Sequence, residues 1–209
     1  MPVSRRNILS LVGASLIALP ARAQVPGVNP EGSRSIGAPH APVTAIEYFS
    51  LTCPHCAHFA NAVMPQVKPN LVDTGKLQII YHDYPLDRIA LMAAQVSRYL
   101  PVAEYYPFIE ALFASQDDWA FVPVTDPNNP PDYKSLIFPY AALAGMDQTT
   151  FNTAINDQVL QAFILNGQTE AETLYHVDST PTFIINGKLL PGAMEYPDFA
   201  AAVAQAAAG

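Results

Sequence analysis

Two cysteines, Cys53 and Cys56, are the chain's only thiols, and they stand together in the run Cys53-Pro54-His55-Cys56. Two thiols with two residues between them can close a small ring through a disulfide and reopen it. Their setting favours that use. Val43 to Phe49 reads as a buried strand, and His55 to Val67 reads as a helix with apolar residues at three- and four-residue spacing. The pair therefore opens a helix, where unpaired backbone N–H groups and the positive end of the macrodipole favour a negatively charged sulfur. Thiol–disulfide exchange is the chemistry these residues suit.

Two other uses of the pair are weaker. A structural staple stabilises by closing a long loop, and a two-residue ring constrains almost none of the unfolded chain. A structural zinc needs about four ligands. His55 and His58 are near the pair, but His55 lies inside the ring and no second Cys or His pair completes a set. No metal is therefore assigned.

Several elements must hold such a pair in place. The helix after Cys53 carries Phe59, Ala60, Val63, Met64 and Val67 on one face. Pro54 fits the first turn, where its missing N–H is not needed, whereas Pro65 should kink or shorten the helix. Leu77 to Tyr84 alternates and reads as a second strand. Ile89–Leu100, Ala103–Ala114, Tyr133–Leu143 and one long stretch from Thr150 to about Leu174 have helical period, with Gly145 and Gly167 at breaks. Val122 to Asp132 holds four prolines and two asparagines and reads as a loop. Strand character returns at Thr182 to Ile185. Asn186-Gly187 is a strong two-residue hairpin signal, followed by Lys188 to Leu190 and a closing Ala-rich helix from Tyr196. At most one short strand, near Ser35–Gly37, precedes all of this. Trp119, the sole tryptophan, reads as a packing anchor.

A strand leading through Ile46-Glu47-Tyr48-Phe49-Ser50 into Cys53-Pro54-His55-Cys56, followed later by Thr180-Pro181-Thr182-Phe183 and a hairpin, resembles the thioredoxin fold. With the Pro-His dipeptide and the helical block it resembles the DsbA-like thiol:disulfide oxidoreductase family, over about residues 41 to 207. The expected fold is α/β, a thioredoxin fold with an inserted helical subdomain. Residues 43–85 form its first half, 86–174 the insertion and 175–209 the second half, after an extended leader over 24–42.

The resemblance implies roles residue by residue. Cys53 is the nucleophile, and His55 stabilises its thiolate by charge or hydrogen bond. Cys56 resolves the mixed disulfide. Pro181 matches the family's cis-proline, which would expose the Thr180 backbone for strand-like pairing with a substrate. Glu47 interrupts an apolar strand six residues before Cys53. A carboxylate buried there has a raised pKa and suits a proton relay to Cys56. The family carries an acid at that position. No bound cofactor is needed, and reoxidation by a membrane quinone-linked partner is implied. Several oxidases of this type carry Val before the cis-proline, and isomerases often carry Thr. A disulfide isomerase or reductase of the same fold thus stays open, as does a thiol-based chaperone or metal carrier.

The ends and the composition bound the setting. Arg5 and Arg6, the apolar run Ile8–Leu19 and Ala21-Arg22-Ala23 form an export signal over residues 1–23, with a mature start at Gln24. Ser4-Arg5-Arg6-Asn7-Ile8-Leu9 also loosely resembles a twin-arginine signal, with Ile8 in place of Phe and Ser10 in place of Lys. Periplasmic residence and reduced exported proteins as substrates follow as expectations. Without Arg5, Arg6 and Arg22 the chain holds seven Lys and Arg against 18 Asp and Glu, a formal charge of −11. Such an acidic chain argues against nucleic-acid binding. Periplasmic isomerases of the related type carry an N-terminal dimerisation domain. The leader here is Pro/Gly-rich and too short for one, so a monomer is expected.

Overall fold

The computed structural model describes residues 27–126 and 128–209. The expected export signal over residues 1–23 lies outside the described residues. Five strands form one sheet in the order β1-β3-β2-β4-β5. They are β1 (Arg34–Ile36), β2 (Val43–Phe49), β3 (Leu77–Asp83), β4 (Thr182–Ile185) and β5 (Lys188–Pro191). The central β2 runs parallel to β3 and antiparallel to β4. β1 and β5 are antiparallel edges. Asn186 and Gly187 both adopt positive φ, 43° and 85°, as a two-residue turn between β4 and β5 demands.

Strand alternation decides what each face holds. Val43, Ala45, Glu47 and Phe49 of β2 point to the main core with Leu77, Ile79 and Tyr81 of β3. Ile46 and Tyr48 point to the other face, with Tyr84, Val177 and Ile184. The first face is covered by the helix that follows β2 and by α9 (Tyr196–Ala208). Phe59, Phe183 and Phe199 interlock there, with ring centroids 4.7, 5.3 and 5.3 Å apart. Among the described residues six helices lie between β3 and β4: α3 (Arg88–Arg98), α4 (Val102–Ala114), α5 (Gln116–Trp119), α6 (Tyr133–Leu143), α7 (Gln148–Asn156) and α8 (Gln158–Tyr175). Through Ala171, α8 closes the second face. Trp119 is fully buried in this block, and its indole N–H donates to the Leu112 carbonyl at 2.8 Å.

Three local expectations need correction. The helix after β2 does not stop at Val67. It runs as α1 (Pro54–His58), a π turn (Phe59–Val63), α2 (Met64–Val67) and a second π turn (Lys68–Val72). Pro65 and Pro69 lack the N–H an α-helix would use. The chain keeps winding because the Met64 N–H bonds to Phe59 and the Asp73 N–H to Lys68, each five residues back. The stretch 150–174 is two helices, because the Asp157 side chain accepts the Val159 and Leu160 N–H groups at 3.0 Å and caps α8. Gly167 is no break. It sits inside α8, where a Cβ would lie 2.9 Å from the His82 ring, so glycine serves close packing of helix on strand.

Candidate active site

β2 delivers the site. Its last residue, Phe49, leads into the buried turn Ser50-Leu51-Thr52, and Cys53 becomes the N-cap of α1 with extended φ and ψ of −84° and 120°. Pro54 occupies the first turn, as its chemistry allows. The register of β2 and β4 sets Tyr48 opposite Thr182. Counting back along the antiparallel partner brings Pro181 and Thr180 beside the turn that carries Cys53. The Thr180–Pro181 bond is cis, and the Cys53 thiol donates to the Thr180 carbonyl at 3.3 Å. Segments about 130 residues apart in sequence thus meet at one sulfur.

The two sulfurs, both free thiols here, have opposite surroundings. Cys53 is 4% exposed and Cys56 is fully enclosed. The expected nucleophile is therefore nearly closed in, with only a small opening. A hydrogen bond from the Cys56 thiol is the main influence lowering the Cys53 pKa, from an ordinary 9.0 to about 5. Burial opposes it. The Thr180 side chain and the backbone N–H groups of Cys56 and His55 add to the lowering. The Thr180 hydroxyl is buried with no other partner among the described residues, so its proton is free to face a Cys53 thiolate. Cys56 is pushed the other way. Burial raises its thiol well above the usual value, and its bond to Cys53 raises it further. His55 serves the sulfur through its backbone N–H, and its imidazole is exposed. His58, one turn on, pairs with Glu195 at 2.8 Å on the surface.

Glu47 lies on the β2 face that the catalytic helix covers, 3% exposed. Burial raises its pKa from 4.5 to about 8, and it is close enough to Cys56 to help raise that thiol. It lines a cavity of about 10 Å³, room for one water, with Tyr81, Tyr106 and Glu110. Among the described residues no three His, Cys, Asp or Glu side chains come together in a way that could hold a metal ion.

Sequence reasoning missed Gln116. It opens α5, and its side-chain nitrogen donates to the Leu51 carbonyl at 2.7 Å and the Cys53 carbonyl at 3.1 Å. A glutamine between Ser115 and Asp117 carries no local signal of this, because only tertiary packing brings α5 to the turn. The expected site residues Cys53, Pro54, His55, Cys56, Glu47, Thr180 and Pro181 all gather at the end of β2 and the start of α1.

A paired thiol at a helix start, faced by a cis-proline loop on a β3-β2-β4 core, defines a thiol–disulfide exchange protein of thioredoxin architecture. A family model described as Thioredoxin matches residues 29–205. The chain resembles alpha-DsbA1 of Wolbachia pipientis at 32% identity and a TM-score of 0.75, covering 85% of this chain and 91% of that one. A Novosphingobium aromaticivorans structure described as a protein-disulfide isomerase is similar at 26% identity and a TM-score of 0.71, covering 82% and 97%. A Rickettsia typhi protein named as a protein-disulfide oxidoreductase is 27% identical over 147 residues, 69% of this chain and 51% of its own length. The chain thus spans about half the length of the curated relatives it matches. It belongs to the thioredoxin family, as a DsbA-like thiol–disulfide oxidoreductase. No described helix is long and apolar enough to cross a membrane.

Proposed function

We propose that this protein is an exported oxidase that introduces disulfides into reduced substrate proteins in the periplasm. The observation that carries the reading is the opposite tuning of the two sulfurs, Cys53 down to about 5 and Cys56 well up. A stabilised thiolate is a good leaving group and favours the reduced enzyme, which makes the disulfide oxidising.

A substrate thiolate attacks Cys53 Sγ in the Cys53–Cys56 disulfide. The S–S bond breaks, and Cys56 leaves with the electron pair. Its high pKa means that it takes a proton at once; in this reading the donor is Glu47, a buried acid near enough to Cys56 to raise that thiol. A second substrate thiolate then attacks the substrate sulfur of the mixed disulfide, and Cys53 leaves as a thiolate. The substrate gains a disulfide and the enzyme gains two electrons. In this reading the substrate backbone pairs beside Cys53 with the Thr180 segment before the cis-proline, which is buried in the free protein. A membrane quinone-linked partner then withdraws the electrons and restores the disulfide. No bound cofactor takes part, and one copy of the chain suffices.

A second reading, a disulfide isomerase, is supported by Thr180 before the cis-proline and by the described activity of the Novosphingobium relative. Two rates on the purified protein separate the two: oxidation of a reduced test protein and reshuffling of a scrambled one. The oxidase reading expects faster oxidation and a monomer in sedimentation. A stable dimer that reshuffles faster would replace it with the isomerase.

A further inference from the structure

The turn that carries the attacking sulfur is held from outside the thioredoxin core. Gln116, 7% exposed, reaches it from α5 and donates to Leu51 O at 2.7 Å and Cys53 O at 3.1 Å. A carboxamide nitrogen has two protons, so it serves both carbonyls at once. The Cys53 carbonyl also accepts the Ala57 N–H at 3.1 Å, which starts α1. Its direction therefore fixes the Cys53–Pro54 peptide plane. Pro54 next has a locked φ and no N–H. The chain then presents the His55 and Cys56 N–H groups that face the Cys53 sulfur. A small rotation of the Cys53 carbonyl would swing both donors.

We propose that Gln116 is a positioning residue for thiol–disulfide exchange: it pins the Leu51 and Cys53 carbonyls from the helical block and so keeps the His55 and Cys56 N–H groups aimed at the Cys53 sulfur. This deepens the proposed function and rests on Cys53 being the attacking thiol. It gives the helices between β3 and β4 a chemical task, since the donor that holds the turn belongs to them. A second tie from the same block supports the idea. The Thr52 hydroxyl donates to Asp87 Oδ2 at 2.7 Å, and the other Asp87 oxygen caps α3 by accepting the Ile89 and Ala90 N–H groups at 2.8 Å. The turn is thus clamped by α3 and α5 together, while the core supplies the strand and the helix on either side.

The test uses three variants of the whole protein. Gln116→Leu and Gln116→Met both keep apolar bulk and remove the donors. Asn61→Ala is the control, because it removes a comparable bond, Asn61 Nδ2 to Phe113 O at 3.1 Å, without touching the Cys53 carbonyl. Each is read by thiolate absorbance against pH, by its equilibrium constant with glutathione and by thermal melting. Both Gln116 variants should raise the Cys53 titration midpoint by about one unit and make the disulfide about tenfold less oxidising. Asn61→Ala should lower the melting temperature and leave the Cys53 titration where it was. Folded Gln116 variants that titrate as the wild type, or an Asn61→Ala shift of the same size, would overturn the proposal. Failure of both Gln116 variants to fold would make the residue a folding determinant and overturn it equally. The wild-type potential tests the oxidase reading and the variant-minus-wild-type difference tests Gln116, so either can fail alone.

Discussion

Replacing Glu47 by Gln should make the protein more stable at neutral pH and slower at its work. The Glu47 carboxyl is buried, and burial alone raises its pKa from 4.5 to about 8. At pH 7 the folded chain holds this proton and the unfolded chain has lost it. The unfolded state then binds fewer protons, so stability falls as pH rises between the two values. Over the roughly 2.5 units from 4.5 to pH 7, at about 1.4 kcal/mol per unit, the cost reaches about 3.5 kcal/mol. Below pH 4.5 both states are protonated and the cost disappears. Gln has no proton to lose, so the gain from Glu47→Gln should be largest near pH 8 and close to zero at pH 4. The assay is urea unfolding of the oxidised forms at pH 4, 5, 6 and 7, where the disulfide keeps the thiols out of the titration. Any fixed cost of burying the amide shifts all four points equally, so the slope with pH is the quantity to read. The same substitution should slow resolution of mixed disulfides through Cys56 and barely move the acidic titration of Cys53. A stability difference that is flat with pH would refute the buried-acid argument, and unchanged resolution rates would remove the proton-relay role.

Cys56→Ser should trap mixed disulfides when its Cys53 thiolate attacks an oxidised substrate, because the Cys56 thiol that releases Cys53 by the reverse of the proposed first step is gone, and Cys53→Ser should abolish activity without trapping. Alkylation of the reduced protein near pH 6 should label Cys53 first, and labelling of Cys56 first would reverse the assignment. The reduced form should melt above the oxidised form at pH 7, because a Cys53 thiolate near pKa 5 rather than 9.0 stabilises the folded state by about 3 kcal/mol there. The Cys53 pKa is depressed by folding, so this gain is lost as pH falls through 5, and melts at pH 4 should show the gap closing. Gly167→Ala should destabilise by about 1–3 kcal/mol despite the better helix propensity of Ala, because its Cβ would meet the His82 ring at 2.9 Å. A stabilised Gly167→Ala in urea unfolding would show that His82 yields easily.

Much of this was legible in the residues because the signals are local. The CxxC ring, the strand before it, the Asn186-Gly187 turn and a lone carboxylate in an apolar strand each carry their meaning within a few positions. Positive φ at both turn residues and the burial of Glu47 follow from those patterns. What escaped is long-range. Gln116 matters because α5 packs against a turn 63 residues earlier. Gly167 resembled a break because its partner, His82, is on a strand far back in the sequence. Pro65 resembled a kink or a shortening of the helix because a π turn, which removes the need for its N–H, has no strong sequence mark. Asp157 was the exception: an N-cap residue with a readable signature, masked by helical periodicity on both sides.

The reduction potential of the Cys53–Cys56 pair against glutathione at pH 7 tests the central claim most directly. A disulfide tuned by a low Cys53 pKa should be strongly oxidising, nearer about −120 mV than the about −270 mV of a reductant such as thioredoxin. A value near or below that of thioredoxin would contradict the account and make the protein a reductant.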